Sequence, residues 1–199
     1  MGRRDLSIQR RKEIIIAFYE VAKGIGLENT SIDKVAAQMS VSKGLVLHYF
    51  KNREELLIGL NEYILEQHLR VMSPHSRTVI TSEDQLNNYL EQLFSRKWNS
   101  YFDDGVFYSC YAMVYRNRTF KISFKAYLEE LHRALFLILS EAQQHKVINI
   151  KNIAETTEII FALVDGAYYY LGMFEESEDL YNQKIALFLN HTKQILGLA

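Results

Sequence analysis

Residues 40–53, Ser-Val-Ser-Lys-Gly-Leu-Val-Leu-His-Tyr-Phe-Lys-Asn-Arg, gather hydroxyls, two ammonium groups, an imidazole, a phenol and a guanidinium around one glycine. These are binding groups, and their natural partner is a phosphate oxygen or a base edge. On a helix opened by Ser42 as hydroxyl cap, Lys43, Gly44, Leu47 and His48 fall on one face, able to meet a major groove. Gly44 lets the helix start come close to a phosphate or base edge, and the free amides and dipole of a helix N-terminus attract anions. Bond-making chemistry has no comparable support. The chain has no G-x-S-x-G elbow and no P-loop, and Gly24-Ile25-Gly26 follows a helical pattern and lacks the third glycine of a dinucleotide fingerprint. Glu129-x-x-His132 has the spacing of one bundle metal motif, but no second copy accompanies it. We therefore expect no metal, no cofactor and no enzyme. Only turnover of a candidate ligand would revive an enzymatic reading.

The elements that must position these groups are short helices. Ile14, Phe18, Val21, Ala22 and Ile25 mark one face of a first helix, about 7–24, stopped by Gly24 and Gly26. Thr30-Ser31-Ile32-Asp33 supplies a hydroxyl cap and a first-turn acid for a second helix, about 31–38, and Ser42 opens a third. Two short helices joined by a tight turn, with small Ala36 at their crossing, meet the requirements of a helix-turn-helix. Val35, Met39, Val41, Val46 and Phe50 are its expected core. Asn52-Arg53-Glu54-Glu55 caps a longer helix to about Val71, and 72–82, with the only proline, Pro74, reads as a surface loop. Ser82-Glu83-Asp84-Gln85 is a further capping box. Helices are expected near 83–101, 104–116, 118–145, 152–173 and 178–196.

Composition agrees with an all-α fold. One proline and nine glycines in 199 residues are too few to punctuate a β-sandwich or barrel. At 48% hydrophobic and 24% charged, the chain has the apolar content of a folded protein. The single cysteine, Cys110, can form no intrachain disulfide and reads as a small buried hydrophobe, with an oxidation sensor as the minor alternative. No apolar run approaches the roughly 18 residues of a bilayer span, and the polar start through Lys12 lacks the apolar centre of an export signal. A cytoplasmic protein without membrane contact is expected. The formal charge of −1 is unevenly spread: residues 1–53 hold ten Lys or Arg against five acids, leaving thirteen and nineteen of the chain's 23 and 24 for the remainder. A basic N-terminal module ahead of an acidic one points to a polyanion partner, against the plainer alternative of an accidental split of solvated charge. His68, His75, His145 and His191 read as surface residues.

The stretch Thr30-Ser-Ile-Asp-Lys-Val-Ala36, then Val41-Ser-Lys-Gly44, His48-Tyr-Phe50 and Lys51-Asn-Arg-Glu-Glu-Leu56, resembles the signature of the TetR-type bacterial transcriptional repressors over about 50 residues. The resemblance implies an N-terminal three-helix DNA-binding domain, 1–52, and a larger helical ligand-binding and dimerisation domain, 53–199. It implies phosphate contacts from Thr30 or Ser31, Tyr49 and Arg53, base-facing positions at Lys43, Gly44 and Leu47, and added backbone contacts from His48 and Lys51. Three positions depart from the family's common pattern: Ser40 replaces glycine, Leu47 tyrosine and Arg53 lysine. Ser40 is expected to take a left-handed conformation at a cost of roughly 1 to 2 kcal/mol. Leu47 is expected to meet a thymine methyl. Leu45-Val-Leu-His-Tyr-Phe50 with Ala162-Leu-Val-Asp-Gly166 is also similar to the subgroup that contains the choline-sensing repressor of glycine betaine synthesis.

Aromatic residues crowd the chain beyond residue 84, and most must be core. Bundles nevertheless place ligand sites between helices, and aromatic faces near an acid suit a quaternary ammonium or another apolar cation. Trp98, Tyr108, Tyr111, Tyr115, Tyr127 and Asp165 are the candidates for a small-molecule effector site. Apolar stripes at Ile153, Ile160, Val164, Ala167 and Leu171, and at Leu180, Ile185, Leu189 and Leu196, mark the last two helices, which the resemblance makes a homodimer interface. The alternative is that they serve the monomer's own core. The expected function is a repressor binding a duplex DNA operator as a dimer; the alternative is a helical protein-interaction module with a non-reading helix-turn-helix.

Overall fold

The structure, a computed structural model, describes residues 3–72, 79–95, 101–174 and 176–198. Among them the elements are α1 (Arg3–Ile25), α2 (Ile32–Gln38), α3 (Lys43–Tyr49), α4 (Arg53–Met72), α5 (Glu83–Leu93), α6 (Asp104–Met113), α7 (Arg118–Gln144), α8 (Ile153–Gly172) and α9 (Glu178–Leu196), with no strand. The all-α fold is as expected. Residues 73–78, most of the expected loop around Pro74, lie outside the described residues.

Caps set the helix starts. Ser31, Ser42, Ser82, Asp103 and Asn152 each accept the amide N–H three residues on, satisfying a donor with no intrahelical partner. At α4 the Glu55 N–H donates to Asn52 Oδ1 while Glu55 Oε2 accepts the Lys51 N–H, a capping-box variant in which the carboxylate reaches the N–H one residue ahead of the cap. Gln85 does the same at α5, where its Oε1 accepts from both the N–H and the O–H of Thr81. The expected helix over 83–101 is shorter, because α5 ends at Leu93. Phe94 caps it, and both the N–H and the Oγ–H of Ser95 donate to the Gln92 carbonyl, pulling the chain out of the helical ladder.

The chain divides into two compact units. The first holds α1 to α3, α4 as far as Gln67, α6 and α7 as far as Leu128. Ile14, Phe18, Val35, Val46, Leu56, Leu60 and Phe120 are wholly buried in it, each contributing about 1.5 to 3 kcal/mol through burial. Of the expected helix-turn-helix core, Val35, Ala36, Val46 and Phe50 are buried, and Met39 and Val41 are half-buried. Ile25, expected on the buried face of α1, is 42% exposed, because the chain is already turning through left-handed Gly26 (φ 84°). Polar bonds join α4 to α7 and to the turn before it: Asn61 Nδ2 donates to Ser123 Oγ at 2.9 Å and Asn117 Nδ2 to Glu54 Oε1 at 2.9 Å. The Asp103 N–H donates to the Tyr19 hydroxyl at 2.7 Å, tying α1 to the start of α6. Burial raises the pKa of that phenol.

The second unit holds the end of α4, α5, the rest of α7, α8 and α9. Leu86, Leu90, Leu135, Leu139 and Ile160 are fully buried there. α8 and α9 form an antiparallel hairpin, with Ile160, Ala167 and Leu171 buried on α8 and Tyr181, Thr192 and Leu196 on α9. Of the expected stripes, Ile153, Val164, Ile185 and Leu189 are half-buried, and Leu180 is exposed. His68 is corrected from surface to buried, because it continues the inward α4 series of Leu60 and Ile64 at four-residue steps. His145 and His191 are exposed, and His75 lies outside the described residues.

Candidate nucleic-acid interface

The turn between α2 and α3 depends on Ser40, whose φ of 55° is the left-handed conformation its position predicts. The Ser40 N–H donates to the Ala37 carbonyl and the Val41 N–H to the Ala36 carbonyl, which ends α2 in a Schellman motif and aims the chain into α3. Val46, the one fully buried residue of α3, seats the helix, and Ser42 caps it by accepting the Leu45 N–H at 3.2 Å. Lys43, Gly44, Leu47 and His48 are all exposed, as one-face spacing requires. A Cβ on Gly44 would meet only Ser42 Oγ, at 3.8 Å, so this face is open at the backbone. Lys51 is exposed and Tyr49 half-buried, with the His48 ring edge-on to it at 5.0 Å.

Thr30, Ser31 and Arg53 are engaged within the protein. Thr30 is 2% exposed, and its hydroxyl donates to the Gly26 carbonyl at 2.8 Å. Ser31, beside it, is half-buried at the start of α2 and accepts the Lys34 N–H. Arg53 donates through Nε to the Thr30 carbonyl at 3.2 Å and through Nη2 to the Leu27 carbonyl at 2.6 Å, so its guanidinium joins the start of α4 to the turn between α1 and α2.

Two residues outside the sequence-derived set also shape this face. Arg11, on α1, donates to the Tyr49 carbonyl at the end of α3 and stacks its guanidinium 4.1 Å from the Phe50 ring centroid. Asp33, on α2, holds Lys43, with Nζ 2.8 Å from Oδ2. The sequence signals were the basic run Arg10-Arg11-Lys12 and the first-turn acid, but neither pairing has a local spacing that identifies it.

The effector candidates fall in different units. Tyr108, Tyr111, Tyr115 and Tyr127 are in the first, where Tyr108 packs edge-on against Phe107, Tyr111 against Phe124, and Phe124 lies 4.9 Å from Tyr127. Tyr127 is buried, whereas Tyr115 is 75% exposed and touches Tyr111. Asp165 belongs to the second unit; the residue is open to solvent, yet partial desolvation of its carboxyl raises its pKa. Trp98 lies outside the described residues. A groove of about 360 Å³ in the second unit is lined by Phe94, Tyr181, Ile185 and Leu189 with Glu91 and Glu178, none of them an effector candidate from the sequence, although Ile185 and Leu189 belong to the expected α9 stripe. Buried Cys110 carries a thiol whose pKa burial pushes up to about 12. Among the described residues no helix is long and apolar enough to cross a membrane.

The architecture has close counterparts. A TetR transcription regulator from Haloarcula marismortui superposes with a TM-score of 0.77 at 17% identity, covering 95% of this chain and 97% of that one. Reduced NemR of E. coli gives 0.75 at 14% identity, covering 95% and 98%. In sequence, the fatty acid metabolism regulator protein of Bacillus subtilis is 30% identical over 83 residues, 42% of this chain and 43% of the relative. The HTH-type transcriptional regulator BetI of Yersinia pestis is 30% identical over 71 residues, 32% and 36%. Each match thus spans less than half of the curated relative. The family model for bacterial regulatory proteins of the tetR family matches residues 15–60, and that for the tetracyclin repressor-like C-terminal domain matches 81–198. With a bundle match over more than half the chain and a helix-turn-helix match ahead of it, the chain belongs to the TetR family of bacterial transcriptional regulators.

Proposed function

We propose that the chain is a cytoplasmic, ligand-responsive repressor that binds a pseudo-palindromic duplex operator as a homodimer. The observation that carries this is the exposed face of α3, where Lys43, Gly44, Leu47 and His48 stand together on a buried, capped scaffold. Residues 1–52 read DNA, and 53–199 carry the effector site and the dimer contact through α8 and α9. Lys43 and Gly44 face base edges, Leu47 a thymine methyl, and Ser31, Ser42, His48, Tyr49 and Lys51 the phosphates. Thr30 and Arg53, engaged with backbone carbonyls, serve chiefly to hold this frame.

The effector has an apolar body, and the Tyr108, Tyr111 and Tyr127 cluster around Phe124 supports an aromatic site for it. A relative named for fatty acid metabolism and others named BetI define the first two ligand classes to try, acyl compounds and choline-like cations. Either acts only by binding the DNA-incompetent arrangement more tightly than the competent one.

Selection of sites from random duplex DNA tests the reading, with Lys43→Ala and Tyr49→Phe run beside the parent at fixed salt. The expected product is an inverted repeat, weakened or lost in the variants. Folded protein that enriches no sequence at any salt overturns it and leaves a protein-contact module.

A further inference from the structure

Lys43 is the one ammonium at the start of α3, and it is already occupied. Its Nζ lies 2.8 Å from Asp33 Oδ2 across the α2–α3 turn, both side chains being more than half exposed. A surface pair of this kind adds little to stability, and a carboxylate on a face meant for a polyanion opposes binding. Its use must lie elsewhere. An ammonium has three N–H donors, and the carboxylate takes one, leaving two directed by the geometry of the pair. A tethered ammonium can meet a base-edge acceptor placed where it points, but it cannot swing freely to whichever phosphate is nearest.

Resting on the DNA-reading function proposed above, we propose that Asp33 is a specificity-determining positioning residue. It holds Lys43 for a base edge in the operator and withholds it, through its own charge and the tether, from phosphates elsewhere. Discrimination then arises partly from binding denied to wrong sequences.

Asp33→Asn tests this by fluorescence anisotropy on the selected operator and on a scrambled duplex of equal length, each titrated with salt. Freed Lys43 should tighten binding to the scrambled duplex and steepen its log K against log salt by about 0.9 per recognition helix, one added phosphate contact. The ratio of operator to scrambled affinity should fall about tenfold, the loss of one good base contact. Asp33→Glu, which keeps the charge, should restore most of that ratio. In a Lys43→Met background the Asp33→Asn change should no longer alter the ratio or the slope. Unchanged melting of each variant excludes misfolding.

Equal tightening on both duplexes, no change on either, or an Asp33→Asn effect that persists without Lys43 overturns the proposal, since Asp33 would then act without positioning that lysine. A parent protein that does not distinguish the two duplexes overturns the DNA-reading function as well, whereas a discriminating parent with an unaltered Asp33→Asn ratio overturns this inference alone.

Discussion

Ser40 holds a backbone angle that a side chain resists. At φ 55° its Cβ crowds the neighbouring carbonyl, and glycine would remove that strain while spending some extra freedom in the unfolded chain. Ser40→Gly should therefore stabilise the protein by about 1 kcal/mol, raising the melting temperature by about 2 to 4 °C with operator affinity unchanged; calorimetry and anisotropy read the two effects. Arg53 makes the opposite case. Truncation to alanine strands the Leu27 and Thr30 carbonyls, and urea unfolding should show a loss of about 2 to 3 kcal/mol, which a residue touching only phosphate would not produce. Cys110 adds a pH signature. Its thiol stays protonated when folded until about pH 12 but ionises near 9 when unfolded, so its contribution is complete below pH 9 and falls by about 1 kcal/mol per unit above it. The stability gap between parent and Cys110→Ala should narrow between pH 8 and pH 10 in urea titrations. The strain at Ser40 was legible through the resemblance, whose common pattern has glycine at that position. The role of Arg53 was not, because its partners are backbone carbonyls 26 and 23 residues away, which carry no side-chain signal.

Seven residues are too few for a helix to persist alone, so α3 exists through its attachments. Ser42 secures its start, Val46 its middle, and Arg11 its end through the Tyr49 carbonyl and the Phe50 ring. A cation bonded to a carbonyl at a helix C-terminus also opposes the negative end of its dipole. Arg11→Met should therefore fray the last turn. Hydrogen exchange of the Phe50 amide, which donates to the Val46 carbonyl, should speed up about tenfold, while α1, α2 and α4 keep their protection. Protection lost uniformly across the first unit would assign Arg11 to global stability instead. Helix starts were legible wherever a cap residue stood, since a hydroxyl or amide three residues ahead of a free N–H is a local signal. The end of α5 was not, because Ser95 stops the helix by competing for the Gln92 carbonyl, and nothing in its identity distinguishes that from a solvent-facing serine. His68 was misread for a related reason: a polar type on an inward stripe gives contradictory signals until the neighbouring turns are placed.

At the scale of the molecule, the hairpin of α8 and α9 has more apolar surface than its own packing uses. Ile159, Ala162, Gly166, Tyr169 and Met173 recur at three- and four-residue steps along the side of α8 opposite Ile160, Ala167 and Leu171, and all five are exposed. Leu180 and Leu187 are exposed one turn-pair apart on α9, Leu187 at 66%. A continuous stripe with small residues at its centre lets a second helix approach closely, so this is the face on which the homodimer proposed above would close by two-fold symmetry. Ile159→Glu combined with Leu187→Glu should convert a dimer into a monomer at micromolar concentration in sedimentation velocity. Helix content should be unaltered, because neither side chain belongs to the monomer's buried core. The same variant separates two contributions to operator binding. Each helix-turn-helix keeps its Lys43 face, so affinity for a single half-site should persist, while the full inverted repeat loses the effective-concentration advantage of a linked second site, a factor of about 10² or more. A variant that stays dimeric would place the contact on another face, and one that turns monomeric yet binds the full repeat as tightly as the parent would separate dimerisation from DNA reading.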